Sequence, residues 1–92
     1  MASTIWKFKL ETALVNQRVL MPKGAEILSV QTQNEEPCLW AKFNKANEDV
    51  KEERCFAIHE TGETITSIRY SYIGTYQLRG GVRVYHVFEV MT

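Results

Sequence analysis

The sequence predicts an all-β protein, built as a small antiparallel β-barrel or sandwich of about seven short strands. Short runs rich in β-branched and aromatic residues recur along the chain, and Gly, Pro, Asn and Glu clusters separate them at regular spacing. No long segment shows the 3.6-residue periodicity of an amphipathic helix. The length of 92 residues suits one domain, so we assign residues 1–92 to a single domain.

The first two strands are predicted from Thr4 to Glu11 and from Arg18 to Met21. In the first, Trp6, Phe8 and Leu10 alternate with polar positions, which is typical of a half-buried strand. Pro22-Lys23-Gly24 then reads as a turn, because Pro presets φ and Gly accepts a left-handed conformation.

The next two strands are predicted from Ala25 to Gln33 and from Cys38 to Phe43, paired as a hairpin around a polar loop at 34–37. A strictly alternating third strand would place Leu28 and Val30 on one face. Asn44 to Glu53 is the most polar stretch and predicts a long surface loop with room for a helical turn.

The last three strands are predicted from Arg54 to Glu60, from Thr64 to Leu78 and from Val82 to Val90. Gly74 interrupts the second of these, which indicates a bulge or bend. Gly80-Gly81 suits a tight hairpin turn. The alternation of all strands predicts a core that contains Trp6, Phe8, Leu28, Val30, Phe56, Ile58, Val84 and Phe88.

Charge and composition disfavour several classes of function. The 11 basic and 11 acidic side chains balance, whereas a nucleic-acid binder usually has a basic excess. No apolar run approaches the roughly 18 residues of a membrane span, and no signal peptide is recognisable, so we expect a cytoplasmic protein without membrane contact. Cys38 and Cys55 are then expected to be free thiols.

The chain is poor in groups for catalysis. Cys38, Cys55, His59 and His86 lack the spacing of a zinc site, and neither cysteine follows a Gly-rich turn or helix start that would activate it. His86 interrupts an apolar face, as a hydrogen-bonded core histidine or as a group that lines a pocket. We therefore expect no enzyme activity, no metal and no cofactor.

Aromatic and basic residues near the C-terminal hairpin and the Pro22 turn are the candidate binding groups. They could stack on and clamp a nucleotide-like ligand, or they could pack against another protein. The predicted ligand-binding residues are Lys23, Tyr72, Tyr76, Arg83, Tyr85 and His86. Since several strands are apolar on both faces, we also expect a homo-oligomer, with Trp40 or Tyr85 at its interface.

Several motifs resemble those of a known family. They are Thr4-Ile-Trp-Lys-Phe8, the run Met21-Pro-Lys-Gly-Ala25 with its continuation to Gln31, Cys38-Leu-Trp-Ala41, Tyr72-Ile-Gly-Thr-Tyr-Gln77 and His86-Val-Phe-Glu89. The chain resembles a family of short bacteriophage and prophage proteins catalogued as a domain of unknown function.

The resemblance implies a setting rather than a reaction. Small phage proteins of this kind often bind host proteins, and some sequester nucleotide immune signals. It implies a phage-encoded, non-enzymatic accessory protein that counters host defence in the cytoplasm of an infected bacterium. The partner would be a host defence protein or a nucleotide-like small molecule. The alternative is a small β-barrel nucleic-acid-binding module for phage replication or regulation.

Overall fold

The computed structural model describes residues 2–66 and 69–91, and within them the all-β prediction is confirmed. There are seven strands: β1 (Ser3–Lys9), β2 (Asn16–Pro22), β3 (Glu26–Gln33), β4 (Glu36–Asn44), β5 (Lys51–Glu60), β6 (Tyr70–Leu78) and β7 (Arg83–Val90). Single 3-10 turns follow β4 at Lys45–Asn47 and β6 at Arg79–Gly81. No helix in the described part of the chain is long and apolar enough to cross a membrane.

The strands form two antiparallel sheets rather than one closed barrel. The three-stranded sheet has the order β1-β4-β3, and the four-stranded sheet has the order β2-β5-β7-β6. Both sheets contribute to one buried cluster, with Leu39 and Phe43 from the first and Phe56, Ile58 and Val87 from the second. The two sheets therefore pack face to face, as in a β-sandwich.

Two β-bulges decide which side chains enter this core. The register of β3 against β4 shifts at Leu28, so Ile27 and Val30 both pack toward the core. Leu28 is 44% exposed, and its predicted core position is wrong. The register of β6 against β7 shifts at Ile73, beside the glycine for which a bulge was predicted.

The core prediction is confirmed for Val30, Phe56 and Ile58, and Trp6 and Phe8 pack against the cluster while staying partly exposed. It is wrong for Val84 and Phe88, which lie on the outer face of β7. Tyr85 and Val87, from the opposite face of that strand, fill the core instead. Because both faces of β7 are apolar, its alternation does not distinguish them.

Two predicted boundaries also differ. The polar stretch after Asn44 contains the expected helical turn, but β5 already begins at Lys51 because its first residues pair with β2. The penultimate strand begins at Tyr70, and residues 64–66 before it are not in a strand. The remaining part of that prediction, at positions 67 and 68, falls outside the described residues.

The sheets meet where β3 faces β6. A β-carbon on Gly74 would lie 2.7 Å from Cγ1 of Val30, so a side chain at position 74 would hold the two strands apart. At one end of this contact, a carboxylate oxygen of Glu35 accepts a 3.0 Å hydrogen bond from the backbone N–H of Arg79. This bond ties the β3–β4 turn to the β6–β7 turn.

Candidate functional site

The outer surface of the four-stranded sheet carries a cluster of five rings that we call the aromatic face: His59, Tyr70, Tyr72, His86 and Phe88. Register explains their proximity, because Tyr72 lies opposite Phe88 and His59 lies opposite His86. His59 is buried, whereas the other four rings are partly or well exposed, and neither tyrosine nor Phe88 belongs to the buried core cluster. The aromatic face therefore points away from the interior of the sandwich.

Four of the five rings of the aromatic face contact one another, namely those of His59, Tyr70, Tyr72 and Phe88. Tyr70 stacks on Phe88 with centroids 5.2 Å apart, and Tyr72 meets the same ring edge-on at 5.6 Å. The His59 ring lies 5.6 Å from that of Tyr70. Tyr72 is the most accessible member, with 60% of its surface exposed. The cluster presents flat apolar surface in a fixed geometry, as protein interfaces often do.

His59 links the aromatic face to the β5–β6 connection. Its Nδ1 lies 2.9 Å from Oε1 of Glu63, and its Nε2 lies 3.1 Å from the Tyr70 hydroxyl. The pKa of the Glu63 carboxyl is lowered, first by the backbone N–H of Glu60 and then by His59. Because a carboxylate only accepts, a neutral His59 donates from Nδ1 and accepts the Tyr70 proton at Nε2. Both rings are thereby fixed in orientation.

His86 and Tyr72 are linked through Thr75. The two His86 nitrogens lie 2.8 Å from the Thr61 hydroxyl and 2.9 Å from the Thr75 hydroxyl. The Tyr72 hydroxyl lies 2.6 Å from that same Thr75 oxygen. The polar groups of these rings are thus satisfied within the protein, which leaves the ring surfaces for contact with a partner.

Of the predicted ligand-binding residues, Tyr72 and His86 lie close together on the aromatic face. Tyr76 and Tyr85 lie in the core, where they are 3% and 9% exposed and stack on each other with centroids 5.3 Å apart. Burial raises the pKa of Tyr76, whose hydroxyl is hydrogen-bonded to that of Thr12. Neither ring presents a surface on which a ligand could stack.

Arg83 and Lys23 lie elsewhere. Arg83 binds Glu60 through two contacts of 2.5 and 2.9 Å, which raise the pKa of Arg83 and lower that of Glu60. Lys23 lies at the other end of β5, where its backbone N–H donates to Val50. The ten residues of β5 between these contacts span roughly 30 Å. The Pro22 turn and the C-terminal hairpin therefore do not converge.

Of the two predicted interface residues, Trp40 reaches the surface and Tyr85 does not. Tyr85 is in the core, whereas Trp40 is partly exposed on the outer face of the three-stranded sheet, with the Lys7 ammonium 5.9 Å from its ring. The two cysteines are also separated. Cys38 lies on the three-stranded sheet and Cys55 on the four-stranded sheet. No group of three or more potential metal ligands occurs among the described residues.

The predicted ligand-binding residues do not include His59, Tyr70 or Phe88. Phe88 was placed in the core because β7 is apolar on both faces. The available signal for Tyr70 is its spacing from Tyr72, because residues two positions apart share one face of a strand. The bulge at Ile73, which turns Tyr76 inward while Tyr72 stays outside, could be located only from the register.

Many of the basic side chains are neutralised by nearby carboxylates. Among the described residues, ion pairs join Lys9 to Glu36, Arg18 to Glu53, Lys42 to Glu26, Arg54 to Glu89, and Arg83 to Glu60. This pairing differs from the exposed basic stripe that neutralises phosphates in nucleic-acid-binding proteins. It therefore gives no support to the nucleic-acid alternative.

Shallow depressions interrupt the surface. One, of about 500 Å³, lies between the start of β2 and the end of β7 and is lined by Asn16, Gln17, Arg18, Cys55 and Val90. Another, of about 290 Å³, lies between β3 and β6 above Arg54 and Glu89. Of the five rings, only Tyr72 lines one of these two depressions, the one between β3 and β6. The aromatic face therefore borders a shallow depression and is not enclosed by it.

Comparisons with known proteins place the chain in a family. No curated protein and no solved structure matches it. A family model described as a domain of unknown function, DUF7352, matches residues 1–92. The chain therefore belongs to the DUF7352 family.

Proposed function

We propose that the protein is a non-enzymatic binding protein and that it binds another protein through the aromatic face. The observation that carries this proposal is the exposed Tyr72 ring, held against Phe88 on an open surface. A ring whose hydroxyl is already hydrogen-bonded loses little conformational freedom on binding. Tyrosines in such positions commonly contribute most of the energy of an interface.

A protein partner fits this surface better than a nucleotide-like signal does. Clamping a nucleotide would require stacking rings beside a cation for the phosphate. Tyr76 and Tyr85 stack on each other inside the core, and Arg83 is bound to Glu60. Among the remaining rings, Tyr72 lines a shallow depression of about 290 Å³, which is below the roughly 300–1,000 Å³ of typical small-molecule sites.

The resemblance to short phage and prophage proteins supports a biological setting for this binding. In that setting the protein is phage-encoded, its partner is a host defence protein, and binding counters host defence in the bacterial cytoplasm. The aromatic face would then be the surface that binds the host defence protein.

The test uses bacteria that carry individual defence systems. The protein is expressed in each strain, and the efficiency of phage plating is measured. We expect it to restore plating against at least one system, and Tyr72→Ala to abolish the effect. Ile5→Ala is the matched control, because Ile5 is similarly exposed but lies on the other sheet. Circular dichroism of both purified variants checks that the fold is retained.

The defence protein identified in this way is then purified and titrated with the wild-type protein and the variants by calorimetry. Loss of Tyr72 should cost about 2 kcal/mol, which is roughly a 30-fold weaker Kd. The proposal fails if Tyr72→Ala binds and protects as well as the wild type. It also fails if the active protein carries an extractable nucleotide, or binds nucleic acid with a steep dependence on salt.

A further inference from the structure

The two sheets have four edge strands, and these edges differ in how they are protected. β3 and β6 face each other at the contact between Gly74 and Val30. The other two edges, β1 and β2, each pair on one side only. Such an edge exposes backbone N–H and C=O groups, onto which another strand can add unless charged side chains prevent it.

The backbone groups on the free side of β2 can be identified from its register. The N–H of Ile58 donates to the carbonyl of Val15, and the N–H of Lys23 donates to the carbonyl of Val50. At both ends of the β2–β5 ladder, the residue on the β2 side that forms these hydrogen bonds is therefore odd-numbered. Bonded and non-bonded pairs alternate in an antiparallel ladder. The backbone groups of Asn16, Arg18 and Leu20 therefore point to the free edge.

The free edge of β1 carries different side chains from the free edge of β2. The N–H of Leu10 donates to Pro37 and that of Lys45 donates to Ala2, so the free side of β1 belongs to the odd-numbered residues Ser3, Ile5, Lys7 and Lys9. The two lysines protect this edge against strand addition. On β2 the free side carries a single charged residue, Arg18, beside Leu20, whose surface is 60% exposed.

We propose that β2 pairs antiparallel with β2 of a second copy of the chain, with Val19 of both copies on the two-fold axis. In this register Arg18 of each copy lies opposite Leu20 of the other, and these residues exchange backbone hydrogen bonds. The two four-stranded sheets then form one continuous sheet. The surface involved is the edge of the sheet, so this inference is independent of the proposed function of the aromatic face.

Charge and backbone hydrogen bonding favour this register over the registers centred on Arg18 and on Leu20. Centring the pair on Arg18 would place two guanidinium groups directly opposite each other. Centring it on Leu20 would place Arg18 opposite Pro22, which has no N–H to donate and whose carbonyl already accepts from Ala25. Centring it on Val19 keeps the two guanidinium groups apart and moves Pro22 to the ends of the ladder, opposite Asn16. The two central pairs of Arg18 with Leu20 then keep all their backbone hydrogen bonds.

The chosen register also creates complementary charges across the junction. Within one copy, Leu20 on β2 lies opposite Glu53 on β5. Arg18 of the second copy would lie on the other side of Leu20, with its long side chain in the same row as Glu53. The 3.9 Å contact between Arg18 and Glu53 within each copy is loose enough to be replaced. A second copy is therefore the occupant that the charges of this edge fit.

Light scattering after size exclusion tests the inference on the purified protein. We expect a mass of twice 10.6 kDa at high concentration, falling toward the monomer on dilution. Leu20→Lys should shift the protein to monomer, whereas Ile5→Lys, the matched change on the free edge of β1, should leave the dimer intact. A wild-type monomer at all concentrations, or a dimer that Leu20→Lys leaves unchanged, would overturn the proposal.

Cross-linking tests the register even if Leu20→Lys does not fold. In a Cys55→Ser background, Val19→Cys should form an intermolecular disulfide under mild oxidation, because facing residues of a non-bonded antiparallel pair have β-carbons close enough for one. Leu20→Cys should not, since the two residues at position 20 are offset along the strands. Efficient linkage at position 20, or its absence at position 19, would exclude the proposed pairing.

Discussion

Gly74 on β6 packs directly against Val30 on β3, and this contact joins the two sheets. A β-carbon at position 74 would come within 2.7 Å of Cγ1 of Val30, which is shorter than side-chain contacts in folded proteins. Val30 is buried and β-branched, so its χ1 angle cannot change freely to relieve the clash. The contact explains why a glycine interrupts an otherwise aromatic and β-branched strand.

Gly74→Ala is expected to destabilise the protein by about 1–3 kcal/mol through overpacking. Urea unfolding followed by tryptophan fluorescence measures the change. The double variant with Val30→Ala should be less destabilised than the sum of the two single variants, because the smaller side chain makes room for the new methyl group. Simple additivity of the two changes would contradict this account.

Phe56 and Phe88 should differ in their contribution to stability, although both were predicted to be in the core. Phe56 is fully buried between the sheets, and its replacement by Ala should cost roughly 3–5 kcal/mol. Phe88 is partly exposed, so Phe88→Ala should cost only about 1–2 kcal/mol. Chemical denaturation of both variants provides the comparison, and equal losses would place Phe88 in the core after all.

Arg54 and Glu89 form an ion pair at one end of the core. Two contacts of 2.7 and 2.9 Å join them, and Arg54 also donates to the Ala25 carbonyl, which links the sheets. Glu89→Leu should destabilise the protein by about 2 kcal/mol or more, because it leaves the guanidinium without its partner. Replacing both residues, as in Arg54→Met with Glu89→Leu, should cost less than Glu89→Leu alone. Thermal unfolding of the wild type and the two variants tests this order.

Glu63 should make stability depend on pH in the acid range. Its pKa is lowered in the folded protein, first by the Glu60 N–H and then by His59. A lowered carboxyl pKa stabilises the fold above the unfolded value of about 4.3, and this contribution disappears as the pH falls through the folded pKa.

Glu63→Gln should therefore reduce stability at pH 7, and its effect should be smaller near pH 3, because the wild-type carboxylate takes up protons as the pH falls. Urea unfolding at both pH values measures the two differences. Thr64→Ala serves as a control on the same connection, because its side chain is exposed and uncharged. A difference between wild type and Glu63→Gln that is as large at pH 3 as at pH 7 would contradict the assignment.

Local sequence patterns predicted where the strands lie in the chain better than they predicted which face of each strand is buried. The alternation from Trp6 to Leu10 identified β1 and its core-facing side, since one face is apolar and the other polar. On β7 the same rule failed, because Val84 and Phe88 are as apolar as Tyr85 and Val87. In that case the surface that meets the second sheet decides which side is buried.

For the candidate site as well, the sequence did not show which face of the sheet each residue lies on. The sequence pointed to Tyr72 and His86, but it also included Tyr76 and Tyr85, which lie on the opposite face of the sheet. A bulge adds a single residue to one strand and reverses the face of every residue after it. Gly74 signalled an irregularity, yet the glycine alone does not show that Ile73 is the additional residue.

By itself, the sequence determined the all-β class, the seven strands and the turns at Gly24 and Gly80, because these depend on propensities and dihedral preferences of neighbouring residues. The tertiary structure decided how the strands divide into two sheets, which face of β7 is buried and where the aromatic face forms. Those features depend on registers between strands distant in the chain. Register is set by packing against the opposite sheet, and no local pattern contains that information.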